Sequence, residues 1–282
     1  MIAVLADPVV RLIVAPLVAV LMLGGLIRWI GAGERGEQIA GAAVPVVFAW
    51  VAAFELGAPL FPPSADDNSI LYLLAAGVLI GLPFELLRID HTPQARHAEA
   101  GVALLFGLAA VVWIRDIIDI WTAIVVIAWG IVVIRVHLVA AADAPTASCT
   151  LAVAATGLGA AAWASGLEGE RDLAFALSSA AGGFFLLHWL NPAMRFGAVL
   201  ILGGLGALLI LAIRLFSATH AIAPALLILG FVFFADAPAR RLLGRRIVRL
   251  RWALPIFAAL ASLLPIGLAA LAAYIGINYE AS

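Results

Sequence analysis

The 282-residue sequence contains no lysine; all sixteen of its basic residues are arginine, set against seventeen acidic ones. Charge of either sign is scarce. Charged residues make up 12% of the chain and hydrophobic residues 65%, where a soluble domain carries roughly a quarter charged residues. So little polar surface cannot cover the one or two soluble domains that this length would otherwise suggest. With a mean hydropathy of +1.16, the chain reads as an integral membrane protein. The combination of abundant alanine with arginine in place of lysine reads as a GC-rich bacterial coding sequence, hence a bacterial inner membrane.

Other absences narrow the chemistry. Cys149 is the single cysteine, so no intramolecular disulfide can form. The first charge is Asp7 and no basic stretch precedes the first apolar run, so the start does not read as a secretory signal. Asp7-Pro8 reads instead as an N-cap followed by proline at the first helical position. There is no G-x-S-x-G, no phosphate-binding glycine loop and no dinucleotide fingerprint. His91, His97, His137 and His188 show no HxxxH or HExxH spacing; His91 and His97 sit with Asp90 and Glu99 in what reads as a solvated polar loop. No metal, no cofactor and no nucleic-acid partner are expected.

What the chain does have is a series of long apolar runs. A membrane-spanning helix needs about 20 apolar residues, and about ten candidates lie near 9–29, 38–57, 69–88, 98–114, 119–140, 147–166, 173–190, 196–216, 220–236 and 253–278. The fold class is therefore all-α, a polytopic transmembrane bundle forming a single integral membrane domain over residues 1–282. Pro16, Pro83 and Pro265 fall inside spans and should bend rather than break them. The fourth and ninth spans are short. Trp29, Trp113, Trp121, Trp163, Trp189, Trp252, Tyr72, Tyr274 and Tyr279 all fall near span ends, as headgroup-level aromatics do; only Trp50 and Trp129 lie deeper.

Arginine bias orients the bundle. The segment 240–251 carries Arg240, Arg241, Arg245, Arg246, Arg249 and Arg251, and short cytoplasmic loops retain such residues. Alternating outward from it puts twelve arginines on the cytoplasmic side and four (Arg11, Arg115, Arg171, Arg214) on the other, with both termini external. On a helical wheel Leu243, Ile247 and Leu250 oppose Arg241, Arg245 and Arg249, so the segment reads as an amphipathic anchor on anionic lipid headgroups.

Small residues should supply the packing, because helices in lipid gain nothing from hiding leucine. Gly77-x-x-x-Gly81, Gly157/Gly159, Ser178-Ser179 with Gly182-Gly183, and Gly203-Gly204 with Gly206 read as contact faces. Ionisable residues keep to span ends, and mid-depth polarity is limited to hydroxyls such as Thr156, Ser178, Ser179 and Ser262. That argues against ion-coupled transport, which places a carboxylate or an unwound helix at mid-depth.

Candidate binding residues gather on the outer side. Glu55 precedes a proline-rich segment with Pro59, Pro62 and Pro63, which should form an extended cover, and Asp66 and Asp67 stand at the next helix start. Glu55 is expected to face Arg115 or Arg214 across the bundle. Asp116 and Asp119 are three apart on one helical face, next to Arg115. His188 and Asn191 share a face at the end of the seventh span, where Asn191-Pro192 should stop the helix.

In span count and length the chain resembles the drug/metabolite transporter class, built as two five-helix inverted repeats. Halves of about 1–142 and 143–282 would permit such a repeat, since an odd repeat inverts. The orientation inferred here is opposite to that class and no motif is shared, so no residue role transfers. Three readings of function follow: a permease or facilitator for a small uncharged or lipid-like molecule; a non-catalytic membrane subunit, meeting a membrane-protein partner or further copies of itself; and an intramembrane enzyme with an outer acidic site. The enzyme would need Glu55, Asp66, Asp67 and Asp116 or Asp119 to converge.

Overall fold

A computed structural model describes residues 7–31, 34–57, 69–86, 93–115, 120–191, 193–247 and 253–280. Among them every regular element is helical. We label these α1 (Val10–Ile30), α2 (Glu34–Leu56), α3 (Ser69–Leu86), α4 (Pro93–Arg115), α5 (Ile120–Ala142), α6 (Ala144–Ala164), α7 (Glu168–Leu190), α8 (Leu200–Ala218), α9 (His220–Phe234), α10 (Asp236–Ile247) and α11 (Ala253–Glu280). Nine of them are long and apolar enough to cross a membrane. The tenth expected span, the ninth in order, is instead the bent pair α9–α10, which turns by 43°.

Local chemistry accounts for the irregularities. Asp7 caps the first helix, its Oδ1 accepting from the Val9 amide at 2.8 Å, as the Asp-Pro pair led one to expect. A π-helical stretch, Val10–Val14, ends two positions before Pro16. The wider turn suits a proline whose ring would otherwise meet the Leu12 carbonyl one turn back. Pro83 and Pro265 sit inside continuous helices, so neither ends its span. The break at α9–α10 has the same origin. Pro238 stands in the first turn of α10, and a straight continuation would drive its ring into the Phe234 carbonyl.

Glycine sets how closely the helices approach. A Cβ on Gly77 would lie 2.6 Å from the Leu202 carbonyl oxygen, and one on Gly81 would lie 2.8 Å from the Val199 Cα. Helix α3 therefore rests backbone to backbone on the π-helical start of α8, Leu200–Leu205. The other expected contact glycines also face neighbours closely, except Gly182, which has open space. Deep Trp129 is explained too: its ring lies over Gly107 and its Nε1 donates to the Ala103 carbonyl at 2.8 Å. Burial is concentrated in α8, 83% of whose apolar window is enclosed against 22% for α1 and α11. Helix α8 is the axis of the bundle; α1 and α11 lie largely against lipid.

The mid-depth hydroxyls are satisfied locally. The Thr156 and Ser178 hydroxyls lie 2.7 Å apart between α6 and α7; one donates to the other, and the one that accepts donates to the Ala152 carbonyl. Ser262 donates to Ala258 one turn back. None of these groups opens a polar site inside the bundle.

Candidate functional site

The arginines sort between the two ends of the bundle. Arg28, Arg135 and Arg195 lie at one end with α10, which we call the basic face; Arg11, Arg115, Arg171 and Arg214 lie at the other, the far face. The outer-site expectation for Glu55 is corrected on this point. Glu55 meets neither Arg115 nor Arg214; it pairs with Arg11 at 2.9 Å. Arg214 pairs with Glu170 at 3.2 Å, and Arg115 bonds Thr122 and lies over the Phe216 ring. The reason is adjacency. The start of α1 and the end of α2 meet at the same level, so the nearest cation neutralises Glu55 before one across the bundle can. Asp66, Asp67, Asp116 and Asp119 lie outside the described residues.

The basic face holds a polar cleft of about 670 Å³. Six segments converge on it. The start of α2 supplies Glu34, Glu37 and Gln38; α4 supplies Glu99; the end of α5 supplies His137; the start of α6, the extended strap 193–197 and the start of α8 complete the wall. Arg195 of the strap also lines it. Three carboxylates, an imidazole, an arginine and an amide thus converge in a chain that is otherwise mostly apolar.

How the sequence builds this corner is visible residue by residue. The α1–α2 turn closes on Gly31 and Gly36; a Cβ on Gly36 would lie 2.6 Å from the Arg28 carbonyl oxygen. That close approach sets Glu37 against Arg28, 3.6 Å from Nε. The guanidinium carries only donors, so the Asn191 amide presents its oxygen to it, 2.8 Å from Nε. Arg28 thereby joins the end of α1, the start of α2 and the end of α7. The strap is tied to α2 through the Arg195 amide and the Glu37 carbonyl, 3.4 Å apart.

His188, a candidate ligand residue from its sequence position, is wholly buried behind this wall. Its Nε2 lies 2.6 Å from the Met194 carbonyl, which can only accept, so Nε2 carries the proton. Nδ1 then accepts from the Ser148 hydroxyl at 3.0 Å. The donor order is that of a nucleophile and its base, but Ser148 is buried as deeply as the histidine. The pair latches the strap to α6 and α7 rather than meeting a substrate. Glu85 does a related job: its buried carboxylate accepts from the Val199 amide at 2.9 Å, holding the start of α8.

Four polar groups in or beside the cleft set its electrostatics. His137 Nδ1 lies 3.0 Å from the Val133 carbonyl and Nε2 lies 3.3 Å from Glu99 Oε2. The carbonyl can only accept, so Nδ1 carries a proton. Glu99 Oε1 and Gln38 Nε2 are buried with no hydrogen-bond partner. An unsatisfied buried polar atom costs roughly 1–3 kcal/mol. Asp143 lies just beyond, between α5 and α6; burial pushes its carboxyl above the ordinary value, a rise that its bond with the Thr146 hydroxyl and the nearby Arg240 only partly offset. Among the described residues no group of three or more His, Cys, Asp or Glu side chains is placed to hold a metal ion.

The arginine segment is only partly the free anchor that its sequence suggests. Arg240 is tied to Asp236 at 3.3 Å, and Ala239 packs on Ala253, Leu254 and Ala258, docking α10 against α11. Arg241 and Leu242 are exposed. Arg249 and Arg251 lie outside the described residues, as do the side chains of Arg245 and Arg246, and with them most of the expected amphipathic wheel.

No motif in the sequence marks the cleft residues on α2, and Glu99 belongs to a stretch that reads as a polar loop. Their signal was a polar run, Glu34-Arg35-Gly36-Glu37-Gln38, directly joined to an apolar span. Gln38 is the telling residue, because an amide in the first turns of a membrane helix needs a partner or a polar space.

No known protein family matches this sequence, and no curated protein matches it. Fold and composition define a multi-pass helical membrane protein, with a polar cleft on its arginine-rich face.

Proposed function

We propose that this protein is a permease or facilitator of a bacterial inner membrane, and that the cleft is its binding site for a small uncharged polar molecule. The observation that carries this reading is the convergence of Glu34, Glu37, Gln38, Glu99, His137 and Arg195 on one cleft of an otherwise apolar chain. These side chains include both donors and acceptors, which suits a solute that itself offers both. The uncharged class is supported by the mid-depth groups, which among the described residues are hydroxyls bonded to protein acceptors and offer no counter-charge to a passing ion. The inner wall includes Ile201, within the π-helical start of α8; such irregular turns recur at functional positions. On this reading the arginine-rich face is cytoplasmic and both termini are external.

The test is solute permeation in reconstituted vesicles, followed by light scattering under glycerol, urea and acetamide gradients. The reading expects permeation above protein-free vesicles for at least one of them, lowered by Gln38→Leu. A second reading, a non-catalytic subunit, is favoured by the closed core along α8, where Ala207, Ile210 and Leu211 are fully enclosed. Vesicles no more permeable than protein-free ones to all three solutes would select it.

A further inference from the structure

A second feature lies in the other half of the bundle and shares no lining residue with the cleft. Between α5 and α9 runs an apolar groove. Trp121, Ile124 and Leu227 form its exposed lips, while Leu158, Leu209 and Ile213 form its buried floor. Arg115, at the end of α4, is its one charged lining residue among those described. Its guanidinium lies 5.2 Å above the Phe216 ring, and Nη1 donates to the Thr122 hydroxyl at 3.4 Å.

Length and position identify what fits. From Trp121 to Val132 on α5, at about 1.5 Å per residue, the groove runs about 16 Å, close to half of the ~30 Å hydrocarbon core of a bilayer. It begins at an arginine and a tryptophan, the residues of the headgroup level, and ends near mid-depth. That is the extent of an acyl chain in one leaflet. A guanidinium has five donors in a planar fork suited to phosphate, and here it stands where the headgroup of that lipid would lie. We propose that the groove is a specific site for a glycerophospholipid, with one acyl chain along α5 and α9 and the phosphate on Arg115. The site is separate from the polar cleft and stands or falls independently of it.

The experiment measures phospholipid retained by purified protein after washing in a delipidating detergent, by native mass spectrometry. Wild-type protein is expected to keep a single phospholipid. Ala128→Phe fills the groove from its α5 wall and should abolish retention, while Arg115→Gln should lower it roughly fivefold, the value of about one lost arginine–headgroup contact. Ile131→Phe, on the lipid-exposed side of α5 outside the groove, should retain lipid as wild type does, and serves as the control if Arg115→Gln does not fold. Equal retention in wild type and Ala128→Phe would overturn the proposal. So would equal loss in the control, or retention of a fatty acid or other phosphate-free lipid.

Discussion

Arg135 of α5 is bound through Nη2 to the carboxylate of Asp236, the first residue of α10. The same guanidinium donates from Nε to the Phe233 carbonyl at 3.2 Å and lies over the Phe234 ring. One side chain thus takes up a carbonyl at the α9–α10 bend, and fastens the arginine-rich helix to the bundle. Removing Asp236 strands the Arg135 charge, and removing Arg135 leaves the buried Asp236 carboxylate with Arg240 alone. Asp236→Asn or Arg135→Met should each cost about 3 kcal/mol, read as a lower melting temperature in detergent. The double variant should lose less than the sum of the two, because the guanidinium then left without Asp236 is that of Arg240, the more exposed of its two partners. Additive losses would count against the clamp.

The contact between α3 and α8 leaves no room for a side chain. Gly77→Ala places a methyl group against the Leu202 carbonyl, so the helices must separate; overpacking of this kind costs roughly 1–3 kcal/mol. Gly182→Ala, with open space around it, should leave stability unchanged. Thermal unfolding of the two variants side by side checks the difference.

Asp143 makes stability depend on pH. Burial raises its carboxyl above 3.8 in the folded protein, so the native state holds its proton more tightly than the unfolded chain. The resulting contribution is fully present below 3.8 and is lost as pH rises through the raised folded value. Asp143→Asn should remove this component. The melting-temperature difference between wild type and Asp143→Asn should therefore change in wild type's disfavour across that window and level off above it. A difference independent of pH would sink the assignment.

Sidedness can be read with thiol reagents, because the one native cysteine, Cys149, is buried. Ala193→Cys on the strap and Glu168→Cys at the start of α7 are both exposed sites, at opposite ends of the bundle. A membrane-impermeant maleimide should label them from opposite sides, with Ala193→Cys reacting only from the side of the arginine segment. Labelling of both from one side would refute the topology.

Much of the architecture was legible in the residues themselves. Spans follow from apolar runs because the bilayer admits only backbone that satisfies itself, and a helix of sufficient length does so without reference to its neighbours. Cap and bend positions at Asp7 and Pro16 follow equally from local chemistry, and the bend at Pro238 could have been read the same way. The face of Gly77 and Gly81 was legible for a related reason: a backbone that must approach another announces itself by lacking Cβ. Partner choice was not legible. Glu55 had four far-face arginines available and took Arg11, because ion pairing is decided by which helix ends meet, a property of the packed bundle. The cleft was hidden for the same reason. Glu37, Glu99, His137 and Arg195 lie on four segments far apart in sequence, and only the tertiary arrangement brings them to one wall. Local composition determined where this chain lies in the membrane; the packing of helix ends decided which of its few polar residues face one another.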